Sequence, residues 1–197
     1  MQRTTFRDMQ CPIARSLERV GEWWSILILR EAFYGARRFD EFQKNLQIAP
    51  NMLTRRLAAL VEDGLLERRQ YSERPPRYEY VLTDCGRDFR PVMLALLAWG
   101  NKHFAPEGIS VQVIDRETGK VADPVLVDGE SGVPMRIGRH VVAPGPAASE
   151  GTRKRLEGLS ARLAESGLAG EATKATAKRS RRTGTDVEAS SAPRRAV

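Results

Sequence analysis

Residues 39–64 read FDEFQKNLQIAPNMLTRRLAALVEDG, and the spacing of their apolar side chains decides the fold. Phe39, Phe42 and Leu46 recur at i, i+3 and i+7, the period of one helical face. After Gln47, Ile48 and Ala49, Pro50 pre-sets the first turn of a second helix, which runs to about Asp63 and stops at Gly64. Leu53, Leu57, Leu60 and Val61 form one stripe along it. Two short helices joined by so tight a turn give the helix-turn-helix layout. At about 100° per residue, Asn51 and Arg55 lie opposite the leucine stripe, Ala58 beside them and Thr54 and Arg56 on the flanks. An arginine can donate two hydrogen bonds to guanine O6 and N7, an asparagine can pair with adenine N6 and N7, and a major groove about 12 Å wide admits a helix. The same pattern also fits an ordinary solvated face.

Downstream, Leu65 to Tyr71 and Arg77 to Thr83 are strand-like runs rich in β-formers, separated by Ser72-Glu73-Arg74-Pro75-Pro76. The prolines are expected to keep that link out of the ladder, giving a hairpin with an extended tip. Arg68, Arg69, Arg74 and Arg77 flank or occupy the tip, so a basic arm would project beside the proposed reading helix, within reach of phosphates or the minor groove. A helix-turn-helix followed by a basic hairpin is a winged helix. Phe89, Val92, Met93, Leu96, Leu97 and Gly100 then repeat at helical spacing as far as Phe104. Pro91 inside that run must kink the helix or begin it, and Cys85 is expected to open it in a packing role. Upstream, Cys11-Pro12 starts a helix with Ile13, Leu17 and Val20 on one face and Gly21 as its stop. Trp23 to Tyr34 is apolar almost all round, the signature of the most buried helix of a small domain. The long apolar helix after the hairpin lies outside so small a core and suggests a dimer seam.

The 197 residues allow one domain plus appendages. All 13 aromatic residues fall between Phe6 and Phe104, which places the core in the first half. We therefore expect a domain over 1–108, a small extension over 109–150 and a tail over 151–197. The net charge of +7 divides into +3, −2 and +6 over these parts, and such a surplus favours a polyanionic partner. The tail is rich in Ala, Ser, Thr, Gly, Lys and Arg and is expected to be disordered, apart from a weak helix along Leu156, Leu159 and Leu163. The longest uncharged apolar stretch, Trp23 to Leu29, falls far short of the roughly 20 residues that span a bilayer. No leader pattern opens the chain, and two cysteines build no disulfide framework, so the expected setting is the reducing cytoplasm, in association with the nucleoid. Dinucleotide, Walker, zincin and nucleophile-elbow motifs are missing, and the two histidines, His103 and His140, have no nucleophile partner in the pattern, so no enzyme and no cofactor is expected. The fold class expected is mainly α with a small antiparallel β wing, followed by a β-rich extension and a disordered basic tail.

Cys11-Pro12-Ile13, Gly21 to Ser25 (GEWWS), Arg38 to Phe42 (RFDEF), Leu53 to Leu57 (LTRRL), Asp63-Gly64-Leu65, Arg74 to Tyr80 (RPPRYEY), Leu82-Thr83 and Trp99-Gly100 occur in this order over residues 6 to about 104. In that series the chain resembles the HxlR-type winged-helix regulators, relatives of the MarR group. The resemblance implies a bacterial homodimer that regulates transcription from a palindromic operator on double-stranded DNA. It implies DNA contacts by Asn51, Thr54, Arg55 and Arg56 on the recognition helix, by Arg74 and Arg77 on the wing, and by Arg38. It also implies a dimer formed by the terminal helices, with Ile13, Leu17, Val92, Leu96 and Trp99 as the candidate residues.

The same resemblance raises oxidant sensing at Cys11. A helix N-terminus and the nearby Arg7 and Arg15 would favour its thiolate, while the alternative is a small hydrophobe that helps to pack the dimer. A small-molecule effector stays open beside it. Residues 109–146 read as short strands and turns, similar to the zinc-ribbon-like hairpin of longer members. Asp128 and Ser131 stand where a cysteine pair would be, so the shape is expected without the metal. Lys174, Lys178, Arg179, Arg181 and Arg182 resemble the basic arms of nucleoid proteins, which hold DNA through counterion release. That leaves a second reading, an architectural protein binding DNA generally through its tail.

Overall fold

The computed structural model describes residues 5–136 and 139–165. They divide into two compact units, the first ending at Pro124 and the second beginning at Val125. The elements are α1 (Pro12–Val20), α2 (Trp23–Phe33), α3 (Phe39–Leu46), α4 (Pro50–Glu62), β1 (Leu66–Glu73), β2 (Pro76–Leu82), α5 (Asp84–Asp88), α6 (Arg90–His103), β3 (Val113–Ile114), β4 (Val121–Ala122) and α7 (Glu150–Glu165). The first unit is a winged helix-turn-helix, mostly helical with one small antiparallel wing.

Local chemistry sets the helix ends. Glu41, at the third position of α3, accepts hydrogen bonds from the Arg37 and Arg38 amides at 2.8 and 2.9 Å, the returning half of a capping box. Those two amides, helped by the positive Arg38 and Arg37 side chains, hold its carboxyl below the usual carboxylate range. α3 ends at Gln47, whose left-handed backbone (φ 50°) turns the chain tightly enough for Pro50 to open α4 three residues later. Gly64, at φ 73°, closes α4 in a conformation that a side chain would strain.

Ile28 and Leu29 of α2, Phe42 of α3 and Leu53, Leu57 and Leu60 of α4 are fully buried, with Ile48 of the turn sealed among them. Truncating any of the three α4 leucines to Ala would cost about 2–5 kcal/mol. α2 is less enclosed than its composition suggests. Trp23 and Tyr34 at its two ends are exposed, because only one side of α2 meets α3, α4 and β2, while Ile26, Leu27 and Phe33 line a cavity beneath α6.

The hairpin differs from expectation at its tip. β1 and β2 pair from Leu66↔Leu82 out to Ser72↔Arg77 and Glu73↔Pro76, with a register shift at Tyr71, so only Arg74 and Pro75 remain in the turn. Pro76 is accommodated because it is the first residue of its strand. A connection invisible in the sequence ties the wing to the helices: Arg38 bridges antiparallel to Glu79, and the Tyr80 amide donates to the Arg37 carbonyl at 2.7 Å. The expected single helix after the wing is two. Pro91 sits in the first turn of α6, one residue after Arg90, the second of the two places the sequence allowed it, and Cys85 sits in the separate α5, exposed rather than packed. No residue of α6 is fully buried, and Met93, Leu94, Leu97 and Ala98 are half-buried.

β3 and β4 lie in the first unit, where Asn101 of α6 donates to the Val111 carbonyl at 2.9 Å. The second unit contains a bridge from Val127 to Pro134, the turn Asp128–Gly132, and α7. α7 covers the stretch in which a weak helix along Leu156, Leu159 and Leu163 was expected inside an otherwise disordered tail: the Ser149 hydroxyl accepts from the Thr152 amide at its start, and Glu150 pairs with Lys154 at 2.7 Å. The remaining tail, with Lys174, Lys178, Arg179, Arg181 and Arg182, lies outside the described residues. Among the described residues no helix is long and apolar enough to cross a membrane, and no group of three or more His, Cys, Asp or Glu could hold a metal ion.

Two outcomes test this packing. Gly86 is buried at the root of the wing, where its amide donates to the Thr83 hydroxyl at 3.0 Å and an added Cβ would strike the Leu65 carbonyl. Gly86→Ala should therefore lower unfolding free energy by about 1–3 kcal/mol in urea titrations. The Glu41 carboxyl, depressed in the folded chain, adds stability that is full above its unfolded pKa of about 4.3 and is lost as pH falls through the folded value. The stability gap between wild type and Glu41→Gln should accordingly hold constant above about pH 5.5 and shrink in acid.

Candidate nucleic-acid interface

The leucine stripe of α4 faces the core, so the opposite side of the helix is turned to solvent. Asn51, Thr54, Arg55 and Ala58 are all exposed there. Asn51 and Arg55 have no side-chain hydrogen bond or ion pair among the described residues. The Thr54 hydroxyl donates to the Pro50 carbonyl at 2.9 Å, which leaves its oxygen as an acceptor only. Ala49 caps α4 without a side-chain acceptor, so the first-turn amides stay open to water or to an anion.

Arg56 is placed differently from its expected role. Its side chain is 12% exposed, and the guanidinium meets the Glu22 carboxylate at 3.2 Å, with Nε buried and unpartnered. The reason is angular: Arg56 sits on the shoulder of α4 that faces the start of α2, and an ion pair there is the cheapest way to bury a guanidinium. It ties α4 to the α1–α2 corner instead of presenting itself outward.

On the wing, Arg74 in the turn and Arg77 near the start of β2 are exposed, and their side chains have no hydrogen bond or ion pair among the described residues. Arg69 is not such a free cation. It binds Glu67 at 2.7 Å, which raises the guanidinium pKa and lowers that of the carboxyl. Arg38, at the junction of α3 and wing, lies over the Tyr71 ring at 4.8 Å, and Arg68 lies over Tyr78 at 3.5 Å. Neither stack was anticipated, since only the strand register brings Arg68 beside Tyr78.

A buried carboxylate braces the helix-turn-helix from behind. Glu31 of α2 accepts from Arg30 at 2.7 and 3.0 Å and from Asn45 of α3 at 2.9 Å. The sequence carried no signal for this bridge, because Glu31 falls inside an otherwise apolar helix.

The remaining candidates are carried by other elements. Ile13 and Leu17 on α1, and Val92, Leu96 and Trp99 on α6, are all exposed, Ile13 by 72% and Trp99 by 56%. Trp99 stacks edge-on against Phe104 at 4.8 Å. Cys11, at the N-terminus of α1, is half-buried. The Asp128–Ser131 turn is closed by hydrogen bonds: the Ser131 hydroxyl donates to the Asp128 carboxylate at 2.6 Å and, with the Glu130 amide, lowers its pKa.

A reading helix and a basic wing on one helical core define a winged helix-turn-helix DNA-binding protein. The model of the HxlR-like helix-turn-helix family matches residues 19–108. An HTH-type transcriptional regulator of Mycobacterium tuberculosis is 42% identical over 135 residues, 68% of this chain and 85% of its own length. A solved structure described as a transcription factor from Pseudomonas aeruginosa is 58% identical, with a TM-score of 0.54 over 74% of this chain and all of its own. A second, also described as a transcription factor, is 37% identical, with a TM-score of 0.65 over 72% of this chain and 100% of that one. The chain belongs to the HxlR-like helix-turn-helix family and is a transcriptional regulator, not an enzyme.

The contrast between neighbouring arginines gives a direct check of placement. Arg55→Ala should leave stability within about 0.5 kcal/mol of wild type, whereas Arg56→Ala, which removes a largely buried side chain and its ion pair with Glu22, should cost about 1–3 kcal/mol in thermal melts.

Proposed function

We propose that this regulator binds a palindromic operator as a homodimer, with α4 in the major groove and the wing tip on the flanking backbone. The observation that carries this reading is the division of α4 into a buried leucine stripe and an outward face on which Asn51 and Arg55 are uncommitted. Asn51, Thr54 and Arg55 read base edges. Arg38, Arg74 and Arg77 grip phosphates, which position the protein without reading sequence. Arg56 supports α4 from within.

The exposed apolar residues of α1 and α6 support dimerisation. A 14-residue helix with no fully buried residue leaves the exposed Val92, Leu96 and Trp99 for a second copy to cover. Such a protein works in the cytoplasm, on the nucleoid. A cavity of about 510 Å³ between α2 and α6, lined by Leu27, Phe33, Met93 and Leu97, has the size of a small-molecule site. Cys11, half-buried at a helix N-terminus, supports an oxidant as the other effector.

With the operator defined by a genome-wide footprint, Arg55→Ala should weaken binding by about 1–3 kcal/mol and relax preference at one base position, while Arg74→Ala should weaken all sequences alike. Equal effects of both changes on every sequence would remove the assignment of a reading helix. Diamide treatment should lower operator affinity of wild type and spare Cys11→Ser. An equal response of the two would remove Cys11 as a sensor.

A further inference from the structure

The wing holds a cation that the reading of α4 leaves unused. The register sets Arg68 opposite Tyr80 and Gln70 opposite Tyr78, which makes Arg68 and Tyr78 diagonal neighbours on one face of the hairpin. Their side chains meet, with the guanidinium carbon 3.5 Å from the ring centroid and thus directly above it. At the root of the same face Leu66 is buried in the core, and β1 packs against α4. The Arg68–Tyr78 pair therefore stands between core and tip, on the side of the wing that turns toward the helices.

The two faces treat their arginines in opposite ways. Leu66, Arg68, Gln70, Tyr78, Tyr80 and Leu82 share one face, and none is acidic. Glu67, Arg69 and Glu79 share the other, where Arg69 is bound to Glu67 at 2.7 Å. A carboxylate partner fixes a guanidinium and cancels its charge. A ring partner fixes it and leaves the charge and the in-plane N–H donors available.

We infer that Arg68 is a contact to the phosphodiester backbone of the bound duplex and that Tyr78 is its positioning residue. Arg38 over Tyr71 at 4.8 Å repeats the device at the junction with α3. The inference rests on the DNA-binding reading of α4 and the wing. Lying flat on the ring restricts the long side chain before DNA arrives, so less freedom is lost on contact. The exposed edge of the guanidinium then has the planar fork that matches two phosphate oxygens.

The experiment measures binding of the full chain to a random-sequence DNA duplex over a salt series, by fluorescence anisotropy. Arg68→Ala should reduce the magnitude of the slope of log K against log salt by about 0.9, one phosphate neutralised fewer. Tyr78→Leu should weaken binding about 2- to 5-fold at fixed salt, Tyr78→Phe should restore it, and Tyr78→Leu should add nothing in the Arg68→Ala background. The inference is overturned by an Arg68→Ala protein that keeps the full slope, by a Tyr78→Phe as weak as Tyr78→Leu, or by a Tyr78→Leu loss that is equal with and without Arg68. If Tyr78→Leu unfolds, the Arg68→Ala slope and the Phe variant decide alone. A wild type that binds no duplex overturns the functional reading together with this one, whereas a wild type that binds while Arg68→Ala keeps its slope overturns this one only.

Discussion

Leu53, Leu57 and Leu60 have no contact with solvent, and three complete burials on a helix of 13 residues leave α4 a single way to sit. Each is worth about 2–5 kcal/mol against truncation, in a molecule whose whole stability is of the order of 5–15 kcal/mol. Rotating α4 by even one residue would drive a leucine into water and an asparagine or arginine into the core. The outward direction of Asn51 and Arg55 is therefore set by the core behind them. The Glu31–Asn45 bridge, the Arg56–Glu22 pair and the link between Arg37–Arg38 and β2 act on the same rigid body, each fixing one more side of the reading helix to its frame.

Charge in this molecule is better judged by partner than by count. Arg30, Arg56, Arg69 and Arg87 each face a carboxylate, so they contribute cohesion and little external field. Arg55, Arg74 and Arg77 face none among the described residues, and Arg38 and Arg68 face aromatic rings. The cations available to a polyanion thus lie on the outer side of α4, at the wing tip and along the wing.

Much of this was legible because periodicity and punctuation are local. The 3.6-residue spacing of Phe39 to Leu46 and of Leu53 to Val61, with Pro50 and Gly64 as boundaries, located α3, the turn and α4 within a residue or two, and the exposure of Asn51 and Arg55 follows from the angle alone. What escaped depends on pairs distant in sequence. Arg56 looked outward on a helical wheel, and only the approach of Glu22 turns it inward. The pairing of Ser72 and Glu73 with Arg77 and Pro76 required knowing that the turn uses just Arg74 and Pro75, a matter of hairpin geometry that two adjacent prolines disguised. Pro91 leaves a kink and a fresh start equally open in the sequence, and the continuous apolar period does not reveal that the break falls at Phe89.

The central claim is that the outer face of α4 lies against base edges in the major groove. Guanine-N7 methylation interference on the operator addresses it most directly, because that atom is reached only from the major-groove side. The account predicts interference at guanines in two half-sites about one helical turn apart, with the pattern reduced in Arg55→Ala. Binding that is indifferent to N7 methylation throughout, yet still blocked by ethylation of the phosphates, would contradict it.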